Sequence, residues 1–72
     1  MSVYPNPVVN GFNINGLTEQ GVLTLTNMNG SVLFSKPVTD NDYISISALP
    51  KGIYLAKIVS KSFTLEQKIV KR

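Results

Sequence analysis

The stretch Ile53-Tyr54-Leu55-Ala56-Lys57-Ile58-Val59, "IYLAKIV", decides the fold of this chain. Isoleucine, valine and tyrosine favour β-strands, and side chains alternate between the two faces of a strand. Both faces of this segment are therefore apolar apart from Lys57. The pattern predicts a central strand that is covered on both faces, or one whose second face lies at a contact.

Turn signals on either side of this strand divide the rest of the chain into short segments. Asn-Gly and Gln-Gly pairs and the Pro50-Lys51-Gly52 turn separate runs that are too short for helices and rich in strand-forming residues. The segments predicted to be strands are 3–8, 12–14, 22–27, 31–37, 43–48, 53–60 and 63–71. They predict an all-β fold, a small antiparallel immunoglobulin-like β-sandwich of about seven short strands. An open barrel is the alternative.

The pairing and the faces of three segments follow from local patterns. Asn29-Gly30 supplies the positive φ angles of a tight hairpin, so segments 22–27 and 31–37 are predicted to pair antiparallel. Segment 43–48 alternates, which places Ile44, Ile46 and Ala48 on one face. The last segment places Phe63, Leu65 and Ile69 on one face and mainly polar residues on the other.

The composition favours a single small domain, residues 1–72, without catalytic chemistry. The chain has 72 residues, no cysteine, no histidine and four side-chain carboxylates. The commonest metal ligands and the commonest general base are missing, and no histidine is present to activate a serine or threonine. We therefore expect no enzyme activity, no cofactor and no metal site. Asp40-Asn41-Asp42 starts like a calcium loop but lacks the required glycine and closing glutamate, which favours a polar turn.

Positive charge is concentrated in the last third of the chain. Residues 1–50 have a charge balance of −2, and residues 51–72 have one of +5. Clustered Lys and Arg attract phosphate, but these charges alternate with core-facing residues and no array of aromatic residues offers base stacking. No apolar run approaches the roughly 20 residues of a membrane span. We expect no nucleic-acid binding and no membrane insertion.

The segment Val3-Tyr4-Pro5-Asn6-Pro7-Val8 combines strand-forming residues with two prolines. Proline has no N–H group and is tolerated at the edge of a sheet or at the ends of a strand. Each proline also keeps the residue before it extended. The segment is therefore predicted to be stiff and extended and to lie at a sheet edge, where Pro5 and Pro7 deny a neighbouring chain regular hydrogen bonds.

Four motifs together resemble the type A C-terminal sorting domain of the type IX secretion system, also called the Por secretion system. They are Tyr4-Pro5-Asn6-Pro7, the "LTNMNG" of residues 25–30 with Val32, the "ISALPKGIYLAKI" of residues 46–58, and Lys68-Ile69-Val70-Lys71-Arg72. The resemblance covers essentially the whole chain. Each motif alone is weak, but their joint occurrence at this spacing is specific.

The resemblance implies a module at the C-terminus of a larger secreted protein, of which this chain is a fragment. Such a domain directs a periplasmic cargo, exported there by a separate N-terminal signal, to the outer-membrane translocon and its shuttle protein. A cell-surface sortase then removes the domain by cleaving upstream of it. The resemblance therefore implies passage through the periplasm, then the cell surface or the extracellular space.

The family's motifs carry over onto a set of candidate recognition residues: Pro5, Asn6, Pro7, Gly30, Gly52, Tyr54, Lys68, Lys71 and Arg72. Gly30 and Gly52 are also explained as turn positions, and Tyr54 as a core residue with its hydroxyl at the rim. Lys71 and Arg72 are the better candidates for contact. An exposed basic chain end suits an acidic receptor surface or an anionic membrane component.

A second function belongs to a different class, a carbohydrate-binding or adhesive β-sandwich module of a secreted protein. It predicts exposed aromatic residues arranged on one face of the domain. The three tyrosines and three phenylalanines mostly fall on strand positions that suggest core. The sequence leaves the oligomeric state open, because a small sheet with an exposed edge can pair with another copy.

Overall fold

The structure of the chain, a computed structural model, describes residues 2–4 and 7–72. These residues form strands β1 (Ser2–Tyr4), β2 (Gly11–Asn15), β3 (Gly21–Asn27), β4 (Val32–Val38), β5 (Tyr43–Ser45), β6 (Gly52–Val59) and β7 (Thr64–Lys71). No described residue lies in a helix. The predicted all-β fold with about seven short strands is confirmed.

The strands form two antiparallel sheets whose inner faces share one core. The three-stranded sheet has the order β1-β2-β5, and the four-stranded sheet has the order β4-β3-β6-β7. Side chains from both sheets are buried in a single cluster that includes Phe12, Ile14, Ile44, Leu23, Leu25, Ala56, Ile58 and Ile69. Each sheet therefore covers the apolar face of the other, which confirms the predicted β-sandwich.

Strand β6 lies between β3 and β7, in the middle of the larger sheet, as its composition predicts. Its inner face is buried through Tyr54, Ala56 and Ile58. On its outer face, however, Ile53 is 41% exposed and Val59 is 42% exposed. The prediction that this strand is covered on both faces is therefore wrong, which leaves the alternative that its second face lies at a contact.

The turn between β3 and β4 confirms the predicted hairpin. Gly30 has a φ angle of 86°, and its N–H donates to the carbonyl oxygen of Asn27 at 3.0 Å. The side-chain oxygen of Asn27 accepts from the N–H groups of Asn29 at 2.9 Å and Ser31 at 3.0 Å. Asn27 therefore organises the loop, a role that the Asn29-Gly30 signal alone does not indicate.

Two predicted strands are shorter in the structure than in the sequence analysis. Strand β5 ends at Ser45, because the N–H of Ile46 donates to Asn10 and the N–H of Leu49 bonds back to Ile46. Ile44 and Ile46 are buried as predicted, but Ala48 is exposed, so its predicted inward position is wrong. Segment 3–8 is not one strand either, since β1 ends at Tyr4 and Val8 forms a separate bridge to β7.

Candidate recognition surface at the chain ends

The beginning and the end of the domain meet on the outer edge of β7. The N–H of Val8 donates to the carbonyl oxygen of Val70, and the N–H of Arg72 donates to the carbonyl oxygen of Val8, both at 2.8 Å. Val8 is fully buried and runs parallel to β7 at Lys71. The basic chain end is thus part of the sheet. Its backbone stabilises the fold, whatever its charged side chains do.

Two turns and the C-terminal end of β7 lie together at one end of the four-stranded sheet. In the register of the sheet, Tyr54 lies opposite Asn27 on one side, and Gly52 lies opposite Lys71 on the other. The β3–β4 loop, the turn before β6 and the end of β7 therefore lie at the same end of the four-stranded sheet. We call this the basic end and define it as residues 28–31, 50–54 and 68–72.

Charge is distributed unequally between the two ends of the sheet. The basic end contains Lys51, Lys68, Lys71 and Arg72 and no side-chain carboxylate. Glu66 lies opposite Lys57 in the middle of the sheet, and Glu19 and Asp40 flank strand ends at the opposite end, where Gly21 pairs with Val38. A surface of one sign attracts and orients a partner of the other sign.

The structure brings most of the sequence-predicted residues to this end. Gly30, Gly52, Tyr54, Lys68, Lys71 and Arg72 all belong to it, although 42 positions separate the first from the last. Pro7 is exposed and adjoins Val8, which pairs with the end of β7. Pro5 and Asn6 lie outside the described residues. The motifs therefore converge in space on a surface that the sequence order does not reveal.

Two of the predicted residues, Gly30 and Gly52, have backbone reasons for being glycine. Their φ angles are 86° and 154°, which L side chains rarely adopt. A Cβ atom at either position would meet no other atom within 4 Å. The turn geometry therefore accounts for both glycines without any contact to a partner.

Tyr54 is a core residue whose hydroxyl reaches the rim. The side chain is 5% exposed, and its hydroxyl donates to the carbonyl oxygen of Pro50 in the turn before β6. The same side chain packs within the core cluster. Tyr54 therefore ties the "LPKG" turn to the sheet and shapes the basic end from inside.

A Tyr54→Phe variant is expected to keep the fold but lose about 1 kcal/mol of unfolding free energy, the net contribution of one hydrogen bond. The ring still fills the core, while the Pro50 carbonyl loses its donor. Urea denaturation of the purified domain measures this loss. A larger loss, comparable to removal of the ring, would show that Tyr54 does more than fasten this turn.

Val8, Lys51 and Glu19 have positions that the sequence analysis did not single out. Val8 is buried against β7, and Lys51 adds a cation to the basic end. Glu19 bonds the turn before β7, since Oε2 accepts from the N–H of Ser62 and Oε1 from its hydroxyl, both at 3.0 Å. Nothing local in the sequence pairs Val8 with Lys71, which lies 63 positions further along the chain.

Glu19 is the basis of a prediction about acid stability. Hydrogen bonds from the side chains of Ser60 and Ser62 lower the pKa of the Glu19 carboxyl below its ordinary value. A carboxyl with a lower pKa in the folded state stabilises the fold above its unfolded pKa, about 4.3, and loses that contribution as the pH falls. Between pH 6 and pH 3, the urea midpoint is expected to fall further in the parent domain than in Glu19→Gln. Equal falls would contradict the role of this carboxylate.

The described residues show little of what a carbohydrate-binding module needs. Phe12 and Tyr54 are buried, and Phe34 and Phe63 are half-buried against the core. Tyr43, 53% exposed, is the one of the five aromatic side chains that the structure describes to lie largely open to solvent, and the side chain of Tyr4 is outside that set. These five side chains therefore do not form an aromatic platform on one face, the feature that the carbohydrate-binding alternative predicts.

Residues 2–4 and 7–72 contain neither a cluster of metal ligands nor a membrane-spanning helix. No group of three or more His, Cys, Asp or Glu side chains comes together in a way that could hold a metal ion. In the same ranges, no helix has the length and apolar character needed to cross a membrane.

The family model of the secretion system C-terminal sorting domain matches residues 2–72, which is nearly the whole chain. No curated protein matches the chain.

Proposed function

Because the chain belongs to the family of secretion system C-terminal sorting domains, we propose that it takes its cargo across the outer membrane by presenting the basic end to the type IX translocon and its shuttle protein. Membership of the family indicates the general function, a sorting signal of type IX secretion that leads to the cell surface or the extracellular space. The route through the periplasm, the shuttle protein and removal by a cell-surface sortase upstream of the domain are part of the proposal.

The observation that carries the proposal is the convergence of the family's motif residues on the basic end. Gly30, Gly52, Tyr54 and the basic residues of the chain end come from three separate stretches of sequence. The glycines and Tyr54 shape the turns, while Lys51, Lys71 and Arg72 supply charge on the surface that these turns build. A folded and rigid patch of this kind is suited to recognition, because little has to be ordered when a partner binds.

The proposed role is that of a ligand and a substrate, without chemistry of its own. A sorting domain has to remain folded, present one patch and leave the cargo's activity undisturbed. The sandwich satisfies the first requirement with a core that draws on both sheets. We place the sortase cleavage upstream of Tyr4, outside the folded strands β2–β7.

A reporter experiment tests the proposed function. Residues 1–72 with the native upstream linker are fused behind a periplasmic reporter in a bacterium that possesses the translocon. We expect the reporter to become accessible to protease at the cell surface or to appear in the medium. A fusion without the domain and a host without the translocon serve as controls, and both should retain the reporter in the periplasm. Retention of the complete fusion in the competent host would contradict the proposal.

A further inference from the structure

The four edge strands of the sandwich, β1, β4, β5 and β7, differ in how well they are protected from pairing with another chain. Strands β1 and β5 have three residues each and offer little edge. Strand β4 is longer but has a register shift opposite Leu25 and Thr26, and it contains Lys36 and Pro37. Bulges, lysines and prolines are the usual means by which an edge resists pairing with another chain. Strand β7, with eight residues, contains neither a bulge nor a proline, and its two lysines, Lys68 and Lys71, lie in its second half.

The outward-pointing backbone groups of β7 follow from its bonds to Val8. The carbonyl oxygen of Val70 and the N–H of Arg72 point to this outer edge. Backbone groups of alternate residues point to the same side of a strand, so those of Thr64 and Glu66 also point outward. Among the described residues, no strand pairs with 64–67 on this side. Val8 therefore covers the end of the edge, and none of the other described residues covers its first half.

An apolar groove lies beside the open half of β7. It has a volume of about 350 Å³ and is lined by Gly16, Thr18, Phe63, Thr64 and Leu65. Leu65 lies opposite the buried Ile58 and is half-buried, so its side chain faces the core side of the sheet. A strand added at this edge would point every second side chain to the same face of the sheet as Leu65. On that face the groove has room for one apolar side chain.

We propose that the open edge of β7 accepts an extended segment of the protein that recognises the domain, by addition of a strand in line with Val8. The proposal rests on the proposed function, since the recognising protein belongs to the secretion machinery. Val8 already pairs along this edge, so the added segment continues an interface that the fold itself uses. The segment places an apolar side chain in the groove, and it is acidic where it approaches Lys71 and Arg72. Strand addition obtains affinity from backbone hydrogen bonds and specificity from alternate side chains.

Proline substitution tests this edge without disturbing the ladder to β6. The N–H of Glu66 points outward, so Glu66→Pro removes a donor from the open edge and from nowhere else. Ser35→Pro is the matched control, because Ser35 lies on the opposite edge of the same sheet, two residues before the natural Pro37. Glu66→Gln controls for the lost charge. Each variant is placed in the complete cargo fusion, and the purified domain is checked by thermal unfolding.

Export of the Glu66→Pro fusion is expected to fall about tenfold, while Ser35→Pro and Glu66→Gln are exported like the parent. Normal export of Glu66→Pro, or an equal fall with Ser35→Pro, would overturn the proposal. If Glu66→Pro unfolds, Thr64→Pro at the start of the same edge replaces it, with the same expected result. Failure of the parent fusion to be exported would instead count against the proposed function. Sedimentation of the isolated domain adds one more outcome, since a dimer that Glu66→Pro dissociates would assign the edge to a second copy and overturn the proposed partner.

Discussion

A Phe12→Ala domain is expected to be largely unfolded at room temperature and to abolish export of any cargo fused to it. Phe12 is fully buried in β2, the middle strand of the smaller sheet, and it packs in the core shared by both sheets. Truncation of a buried phenylalanine costs about 3–5 kcal/mol. A single core in a chain of this length supplies a net stability of only about 3–5 kcal/mol. The cost of the substitution and the net stability are similar, so this one substitution removes most or all of the unfolding free energy.

Phe34→Ala is the matched control for this experiment. Phe34 lies on the edge strand β4 and is only half-buried against the core, so its removal leaves a smaller cavity. We expect it to lower the unfolding free energy by about 1 kcal/mol and to leave export unchanged. Far-UV circular dichroism and urea denaturation measure the folded fraction. Export of an unfolded Phe12→Ala domain at the parent level would mean that the machinery reads the chain and not the folded surface.

The sequence predicts the parts of this fold that depend on local patterns. The apolar faces of Ile53–Val59 identify the central strand, and Asn29-Gly30 identifies the hairpin, because strand propensity and positive φ angles act over a few residues. The last segment shows the predicted inward Leu65 and Ile69. The division of the strands between two sheets does not follow from such patterns. The three-residue β5 pairs with β2 through contacts about 30 positions apart, and nothing local in Tyr43–Ser45 specifies that partner.

The candidate site is harder to predict than the fold, because its geometry depends on pairing across the whole chain. The sequence identifies Lys71 and Arg72 as a basic chain end, but it does not show that Arg72 bonds to Val8 or that Lys71 lies opposite Gly52. The outward face of β6 is a similar case. Its apolar residues are visible in the sequence, whereas the lack of a second layer over Ile53 and Val59 is visible only in the structure.

Deletion of residues 68–72 is expected to unfold the domain, so loss of export in that variant would not identify the charges as the recognition signal. The deletion removes Ile69, a fully buried core residue that lies opposite Tyr54. It also removes both backbone bonds that hold Val8 against β7. Loss of a buried isoleucine alone costs about 2–5 kcal/mol, which is comparable to the whole stability of so small a domain. Circular dichroism of the truncated domain should show the loss of the sheet.

Charge reversal separates the two roles of the chain end. A Lys71→Glu, Arg72→Glu variant keeps the backbone, the Val8 bridge and Ile69, and it changes only the charge of the basic end. Arg72 is exposed, and Lys71 is half-buried at the rim of the sheet. We expect the unfolding free energy to stay within about 1 kcal/mol of the parent, since surface substitutions usually change it by no more than about 0.5 kcal/mol each. Export should nevertheless fall strongly, because like charges now face an acidic partner. Lys36→Glu, Lys61→Glu is the control, with the same change in net charge on exposed residues outside the basic end. If both variants are exported as well as the parent, neither net charge nor its position is important, and recognition has to depend on the shape of the turns and the edge of β7.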